Sequence, residues 1–255
     1  MKKITTSIVT LGLLAGCVSS EGRIRETLKK NPDIVFDVIE ANPEKFVDVV
    51  NRAAQVAQAK QSQQRVAERQ QQRERDLKNP KQPHLDSVRR LSGSDAGKIV
   101  VVEYADFQCP ACGAGHAALE QLKKKYGKDL QFYYKNMPLS FHEMAAPSAL
   151  YFEALMLQDK TKAEKFYNLL FENQRQLSEA FLKQSAKKLG ADMARLTKDM
   201  NSDVVKKRIE ADMSEFQDFG FSGTPSLIVN GVALEGAQRF ESLDEMVSST
   251  LTKKN

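Results

Sequence analysis

The sequence predicts an α/β domain carrying a helical insertion and preceded by an all-α arm. Three observations predict it. The β-branched run Lys98-Ile99-Val100-Val101-Val102-Glu103-Tyr104 has the composition of a strand buried on both faces. Helix signals begin immediately after it, at Cys109, and a second strand pattern follows from Leu130 to Tyr134. Before residue 80, by contrast, the apolar residues recur only at helical spacing.

The bulk composition bounds the function. The chain has 255 residues, 41% of them apolar, which is enough for one domain with a sizeable core and an appendage. Its formal charge of +5 falls to +3 once Lys2 and Lys3 are set aside, and it is spread over mixed-sign stretches. That is too weak and dispersed for a nucleic-acid-binding surface. Beyond the first residues, no segment approaches the roughly 18 uninterrupted apolar residues of a membrane-spanning helix.

Residues 1–16 read as an export signal. Lys2 and Lys3 form a basic start, and Ile8 to Leu14 a short apolar core. Leu14-Ala15-Gly16-Cys17 resembles a bacterial lipobox, which implies that Cys17 is diacylated and becomes the first mature residue. An ordinary signal peptide with an incidental cysteine is the alternative. Either way the expected compartment is the oxidising cell envelope, where three cysteines would leave one unpaired. Lipidation of Cys17 removes that odd thiol, and two acyl chains suffice for stable attachment. With Val18 and Ser19 following Cys17, the resemblance implies the outer membrane.

Residues 17–80 form the predicted arm. Asn31-Pro32-Asp33 and Asn42-Pro43-Glu44 each suggest Asn at an N-cap, Pro in the first turn and an acid beside the positive end of the dipole. Ile34, Val35, Val38 and Ile39 line one short helix, and Phe46, Val49, Val50, Ala53 and Ala57 a second. From Gln55 to Asp76 the chain is rich in Gln and charge, predicting a long exposed helix that doubles as a linker. Asn79-Pro80-Lys81-Gln82-Pro83 ends it. Two short amphipathic helices cannot bury their stripes alone, so self-association, as a dimer, is expected. A solvated stalk is the alternative.

The remaining residues, 81–255, give the order βαβ, helical insertion, ββα. Leu119, Leu122 and Tyr126 mark one face of the helix after Cys109, and Gly127 stops it. A mostly helical stretch covers about 143–219, with breaks near Gln158-Asp159, Gln176-Leu177-Ser178 and Gly190. Ser226 to Val229 is a strand, Asn230-Gly231 a hairpin turn and Val232 to Leu234 its return. A last helix runs from about Ser242 to Leu251.

The chemistry concentrates in Cys109-Pro110-Ala111-Cys112. A thiolate at a helix N-terminus meets unsatisfied backbone N–H groups and the positive dipole end, so its pKa falls. Pro110 suits the first turn because no N–H is needed there. Cys109 is then the exposed nucleophile, and Cys112, one turn on, the buried thiol that resolves a mixed disulfide. Zinc would need about four ligands, yet no second cysteine pair exists and His84, His116 and His142 are scattered. A c-type haem would need His after Cys112, where Gly113 stands. No metal or organic cofactor is expected.

Further along lies Gly223-Thr224-Pro225-Ser226, directly before the third strand. With Cys109-Pro-Ala-Cys112 and the helical insertion, it resembles the DsbA-like, thioredoxin-fold thiol–disulfide oxidoreductases of bacterial envelopes over about residues 85–255. Residues 24–78 are similar to the N-terminal dimerisation helices of the outer-membrane lipoprotein branch of that family. The resemblance implies a thioredoxin fold and a cis bond before Pro225, leaving the backbone of Thr224 free to pair with a substrate peptide. It implies that Glu103 is a buried acid serving proton transfer with Cys112; a solvent-facing strand-edge acid is the alternative. Asp106 reads as a loop or helix-entry residue. Ala111 departs from the His of strongly oxidising members, which implies a less acidic Cys109. Thr224 is more like the isomerases. His116 and His142 read as packing or helix-entry residues, and Phe219 and Phe221 as core rather than groove.

The expected function is disulfide formation or isomerisation in exported cysteine-containing clients, with a membrane redox partner resetting the pair. An envelope lipoprotein acting as a scaffold or adhesin is the competing class, and a metal or haem carrier a third. Neither of those requires Thr224-Pro225.

Overall fold

The computed structural model describes residues 20–252. Lys2, Lys3, the apolar run Ile8 to Leu14, Cys17, Val18 and Ser19 lie outside them. The chain divides into two compact units, Met1–Ala67 and Glu68–Asn255.

The first unit is helical. It holds α1 (Ser20–Lys30), α2 (Asp33–Ala41) and most of α3 (Pro43–Lys78). Asn31 and Asn42 do not cap the helices that follow them. Their side-chain amides donate back to the carbonyls of Thr27 and Val38, four residues earlier, at 3.1 and 3.0 Å. So few residues separate the helices that each Asn finds the orphan carbonyls of the preceding one first. The two patterns expected to form a short helix and a separate linker instead merge into α3, 36 residues long. No residue of α2 is buried, and Val35, Phe36, Val38, Phe46, Val49 and Val50 are all exposed.

The last turns of α3 belong to the second unit and are not a solvated linker. Asp76 is 3% exposed, and its carboxylate accepts from the Ala233 N–H at 2.9 Å and from Gln72 at 2.7 Å. A hydrogen-bonded carboxylate thus satisfies an edge-strand donor and ties the helix end down.

The second unit is built on a five-stranded sheet. In chain order its strands are β1 (Arg90–Ser92), β2 (Ile99–Ala105), β3 (Leu130–Asn136), β4 (Ser226–Val229) and β5 (Val232–Glu235). Their spatial order is β1-β3-β2-β4-β5, so β2 is central. It runs parallel to β3 and antiparallel to β4, in a register that pairs Glu103 with Leu227 and Tyr104 with Ser226. The β-branched run therefore lies where both sheet faces are covered.

Helix α4 (Pro110–Tyr126) connects β2 to β3, and its chain leaves the helix at Gly127, with φ 52°. The insertion comprises α5 (Ala145–Gln158), α6 (Lys160–Glu172), α7 (Glu179–Lys188), α8 (Met193–Met200) and α9 (Asp203–Asp218), and α10 (Phe240–Thr252) closes the chain. One core cluster gathers Leu119, Leu122, Phe132, Phe152, Phe166, Tyr167 and Leu243; on the other, Tyr104, Phe216, Phe221 and Ile228 pack together. Phe219 joins that second cluster at its edge, so Phe219 and Phe221 are core residues.

The β4–β5 turn places Asn230 at φ 48° and Gly231 at φ 90°, the left-handed pair of a tight hairpin. A Cβ on Gly231 would also stand 2.4 Å from the Pro80 ring. Gly231→Ala is expected to cost about 2 kcal/mol from backbone strain before the clash is counted. A lower thermal-unfolding midpoint checks this; an unchanged midpoint contradicts it.

Candidate functional site

The sheet topology brings two distant loops together at the C-terminal end of β2. One enters α4, with Cys109 in extended backbone conformation (φ −69°, ψ 120°) as its N-cap and Pro110 in the first turn. The other precedes β4, where the Thr224–Pro225 bond is cis. Because β2 and β4 are antiparallel, the start of β4 lies beside the end of β2. Across that gap the Cys109 thiol donates to the Thr224 carbonyl at 3.6 Å.

Cys109 is more enclosed than a nucleophile read from sequence would be. It is 7% exposed, with the Thr224 carbonyl lying against its sulfur; Cys112 is fully buried. Their environments push the two thiols apart. The Cys112 thiol donating to the Cys109 sulfur is the largest influence on Cys109, holding it near pH 5 against the opposing effect of burial. The Thr224 side chain and the backbone groups of Cys112 and Ala111 add to this. The Thr224 hydroxyl has no hydrogen-bond partner among the described residues while Cys109 is a thiol. It is a donor in reserve for the thiolate. Ala111 brings no charge, so its contribution comes from the backbone alone.

Burial is the main cause that raises Cys112 well above an ordinary thiol, with the bond to Cys109 and the nearby Glu103 charge reinforcing it. Glu103 is fully buried in the middle of β2, so the strand-edge alternative does not hold. Burial pushes its carboxyl up to about 7, although the Tyr167 hydroxyl and Lys123 both favour the charged form.

Three further residues position the site. The Asp106 carboxylate accepts from the Gln108 N–H at 2.7 Å, from the Leu139 N–H at 3.0 Å and lies 2.7 Å from His142 Nδ1. It thereby fastens the loop after β3 to the entry of α4. Gln174, in the turn after α6, donates to the carbonyls of Phe107 at 2.9 Å and Cys109 at 2.8 Å. Its side chain lies over Gly113, where a Cβ would come within 2.1 Å of Oε1. The third is Tyr167, whose hydroxyl donates to Glu103 Oε2 at 2.6 Å. Sequence reasoning missed Gln174 and Tyr167, since both lie in the insertion and nothing local marks them. His116 packs against Tyr167 and Phe171 and is buried; burial lowers its pKa. Among the described residues no cluster of His, Cys, Asp or Glu is suited to a metal ion.

The sheet order, the cysteine pair at the start of α4 and the cis bond before β4 together define a thioredoxin-type fold. A family model described as Thioredoxin matches residues 86–249, well over half of the sequence, and the chain belongs to that family. Among curated relatives, an Na(+)/H(+) antiporter NhaA 1 of Mycolicibacterium vanbaalenii is 30% identical over 166 residues, covering 63% of this chain and 26% of that protein. The chain thus spans about a quarter of that relative. A probable disulfide bond formation protein D of Bacillus cereus is 29% identical over 178 residues, covering 66% of this chain and 81% of the relative. Of the solved structures, the thiol-disulfide exchange protein alpha-DsbA2 of Wolbachia pipientis has a TM-score of 0.58 at 21% identity, covering 62% and 84%. Proteus mirabilis ScsC in a transitional conformation has a TM-score of 0.59 at 23% identity, covering 91% and 95%. The DsbA-like thioredoxin fold expected from the sequence is the fold of this chain. No helix among the described residues is long and apolar enough to cross a membrane.

With Cys109 lowered to about 5 from its ordinary value near 9, alkylation by iodoacetamide should show a midpoint near pH 5. The same shift stabilises the reduced protein fully above pH 9, and that stabilisation is lost as the pH falls through 5. Thr224→Val should raise the alkylation midpoint. A profile centred near 9 would contradict the site geometry.

Proposed function

We propose that the chain is an envelope thiol–disulfide oxidoreductase that forms and isomerises disulfides in exported cysteine-containing proteins. The single observation that carries this reading is the opposed pair of thiols: Cys109 held acidic at the start of α4 and Cys112 buried and held protonated. In exchange chemistry the Cys109 thiolate attacks one sulfur of a client disulfide. The client S–S bond breaks, the displaced sulfur leaves as a thiolate that takes a proton from water, and a mixed disulfide forms. Cys112 then gives its proton to Glu103 and attacks Cys109. The bond to the client breaks, leaving the client reduced and Cys109–Cys112 oxidised. Run in reverse, the same steps oxidise a client dithiol. Release before resolution, onto another client cysteine, is isomerisation.

The free backbone of Thr224 beside Cys109 suits strand-like pairing with an extended client segment. Pro110 and Ala111 set the redox balance: Ala111 supplies no positive charge, which favours a milder oxidant than a His-containing pair. The exposed apolar residues of α2 and α3 support self-association, a dimer being the expected form, and two facing sites would give avidity for a misfolded client. Cys17 is the proposed lipid anchor, holding the protein at the outer membrane, and a membrane redox partner resets the pair.

Thiol trapping in the native envelope tests the direction: mostly reduced pairs accord with isomerase work, mostly oxidised pairs with oxidase work. Cys109→Ala should abolish both insulin reduction and scrambled-ribonuclease refolding; normal rates in that variant overturn the mechanism. In the full chain, Phe36→Glu with Val49→Glu should lower the particle mass measured by light scattering. An unchanged mass would separate the arm from assembly.

A further inference from the structure

We propose that Tyr167 is a positioning residue for Glu103: its hydroxyl holds one carboxyl oxygen and leaves the other to receive the proton that Cys112 releases. The inference rests on the exchange function proposed above and deepens it. Tyr167 comes from α6, in the insertion, 64 residues from Glu103 in sequence, and both side chains are fully buried. Oε2 of Glu103 accepts the hydroxyl at 2.6 Å. Oε1 is buried with no hydrogen-bond partner among the described residues. One oxygen is therefore committed and one is open.

The tyrosine ring is held rigidly enough to act this way. Tyr134 and Phe171 lie 5.1 and 5.0 Å from its centroid, His116 5.2 Å and Phe132 5.7 Å, all at steep interplanar angles. In a packed aromatic cage of this kind the hydroxyl has little freedom to leave Glu103. Its direction is set by the core.

The other groups facing Glu103 do not take this role. From α4 come Cys112, the reacting thiol, with Glu120 and Lys123. Lys123 is engaged by Glu120 at 2.7 Å and Glu164 at 3.4 Å, and lies 5.5 Å over the Tyr167 ring. His116, also on α4, is kept neutral by burial. From β3, Tyr134 donates its hydroxyl to the Ala105 carbonyl at 3.0 Å. On the β4 side the register partner is Leu227, which carries no charge.

In the resolving step the Cys112 S–H bond breaks and its proton goes to Glu103 Oε1. The sulfur electron pair forms the Cys109–Cys112 bond, and the client sulfur leaves with the electrons of the mixed disulfide. A phenolic donor on Oε2 stabilises the carboxylate that must exist before this transfer. Without it, Glu103 would hold its proton to higher pH and resolution would slow at neutral pH.

The test uses the reduced full-length protein mixed with glutathione disulfide. Acid quenching and mass spectrometry follow formation and decay of the Cys109–glutathione mixed disulfide across pH. In the wild type, decay should inflect near pH 7, and in Glu103→Gln that inflection should vanish. Tyr167→Phe should slow decay roughly tenfold at pH 6.5, with the inflection moved upward and recovery at alkaline pH. Formation of the mixed disulfide should be unchanged. A Tyr167→Phe profile coincident with the wild type, or slowed equally at every pH, overturns the role of Tyr167 and leaves exchange intact. Failure of the wild type to form or resolve the mixed disulfide overturns the exchange reading itself. Should Tyr167→Phe not fold, the wild-type Glu103 carboxyl band decides, read by infrared difference against Glu103→Gln. A frequency typical of a hydrogen-bonded carboxyl supports the inference, and that of a free one overturns it.

Discussion

The antiparallel pairing of β2 with β4 is the constraint on which the rest of the site depends. With Tyr104 opposite Ser226, the residues just past the end of β2 and just before the start of β4 must meet at one edge of the sheet. A slip of one residue would turn Glu103 to the opposite face and part Cys109 from Thr224. The β-branched residues of β2 prevent that slip because both faces of the strand are buried, and any shift would carry apolar side chains out of their pockets. The Asn230-Gly231 turn fixes the neighbouring β4–β5 register from the other side, and the Asn230 side chain accepts from the Val100 N–H at 2.8 Å. The site geometry is thus a consequence of strand registry, not of local loop preference.

On this frame the electrostatics separate three acids that would otherwise titrate far apart. Cys109 is lowered by donors, Cys112 raised by burial, and Glu103 raised from the ordinary carboxylate range to near neutrality. A thiol, a second thiol and a carboxyl are placed within one small buried volume and given distinct protonation states by their surroundings. Each shift has a nameable origin in the fold: the helix start, the core and the sheet interior.

Much of this was legible in the sequence because the signals were local. The strand of Val100 to Val102, the helix stop at Gly127 and the Asn-Gly hairpin each rest on backbone preferences of a few adjacent residues. The cysteine pair and Thr224-Pro225 could be placed from their neighbours alone. What escaped depends on long-range contact. Strand β1 has three residues, too few for a period, and exists because Arg90 and Ser92 find β3. Asp76 looked like one more charge on a solvated helix until β5 gave it a backbone donor. Asn31 and Asn42 matched the pattern of N-caps, yet the helices before them claimed their side chains. Tyr167 and Gln174 sit in ordinary helical surroundings, and only the folded chain brings them to Glu103 and Cys109.

The helical insertion has a consequence beyond packing. Through Gln174 it clamps the carbonyls at the start of α4, and through Tyr167 it touches the acid inside the sheet. A segment that looks in sequence like an interchangeable cap is thus wired into the redox centre at two points. Gly113 records the same dependence from the other side, having lost its side chain to make room for the clamp. Insertion and sheet are therefore bound to change together: a homologue carrying a different cap needs a different residue at 113 and a different neighbour for its buried acid. The cap and the thiols form one inherited unit.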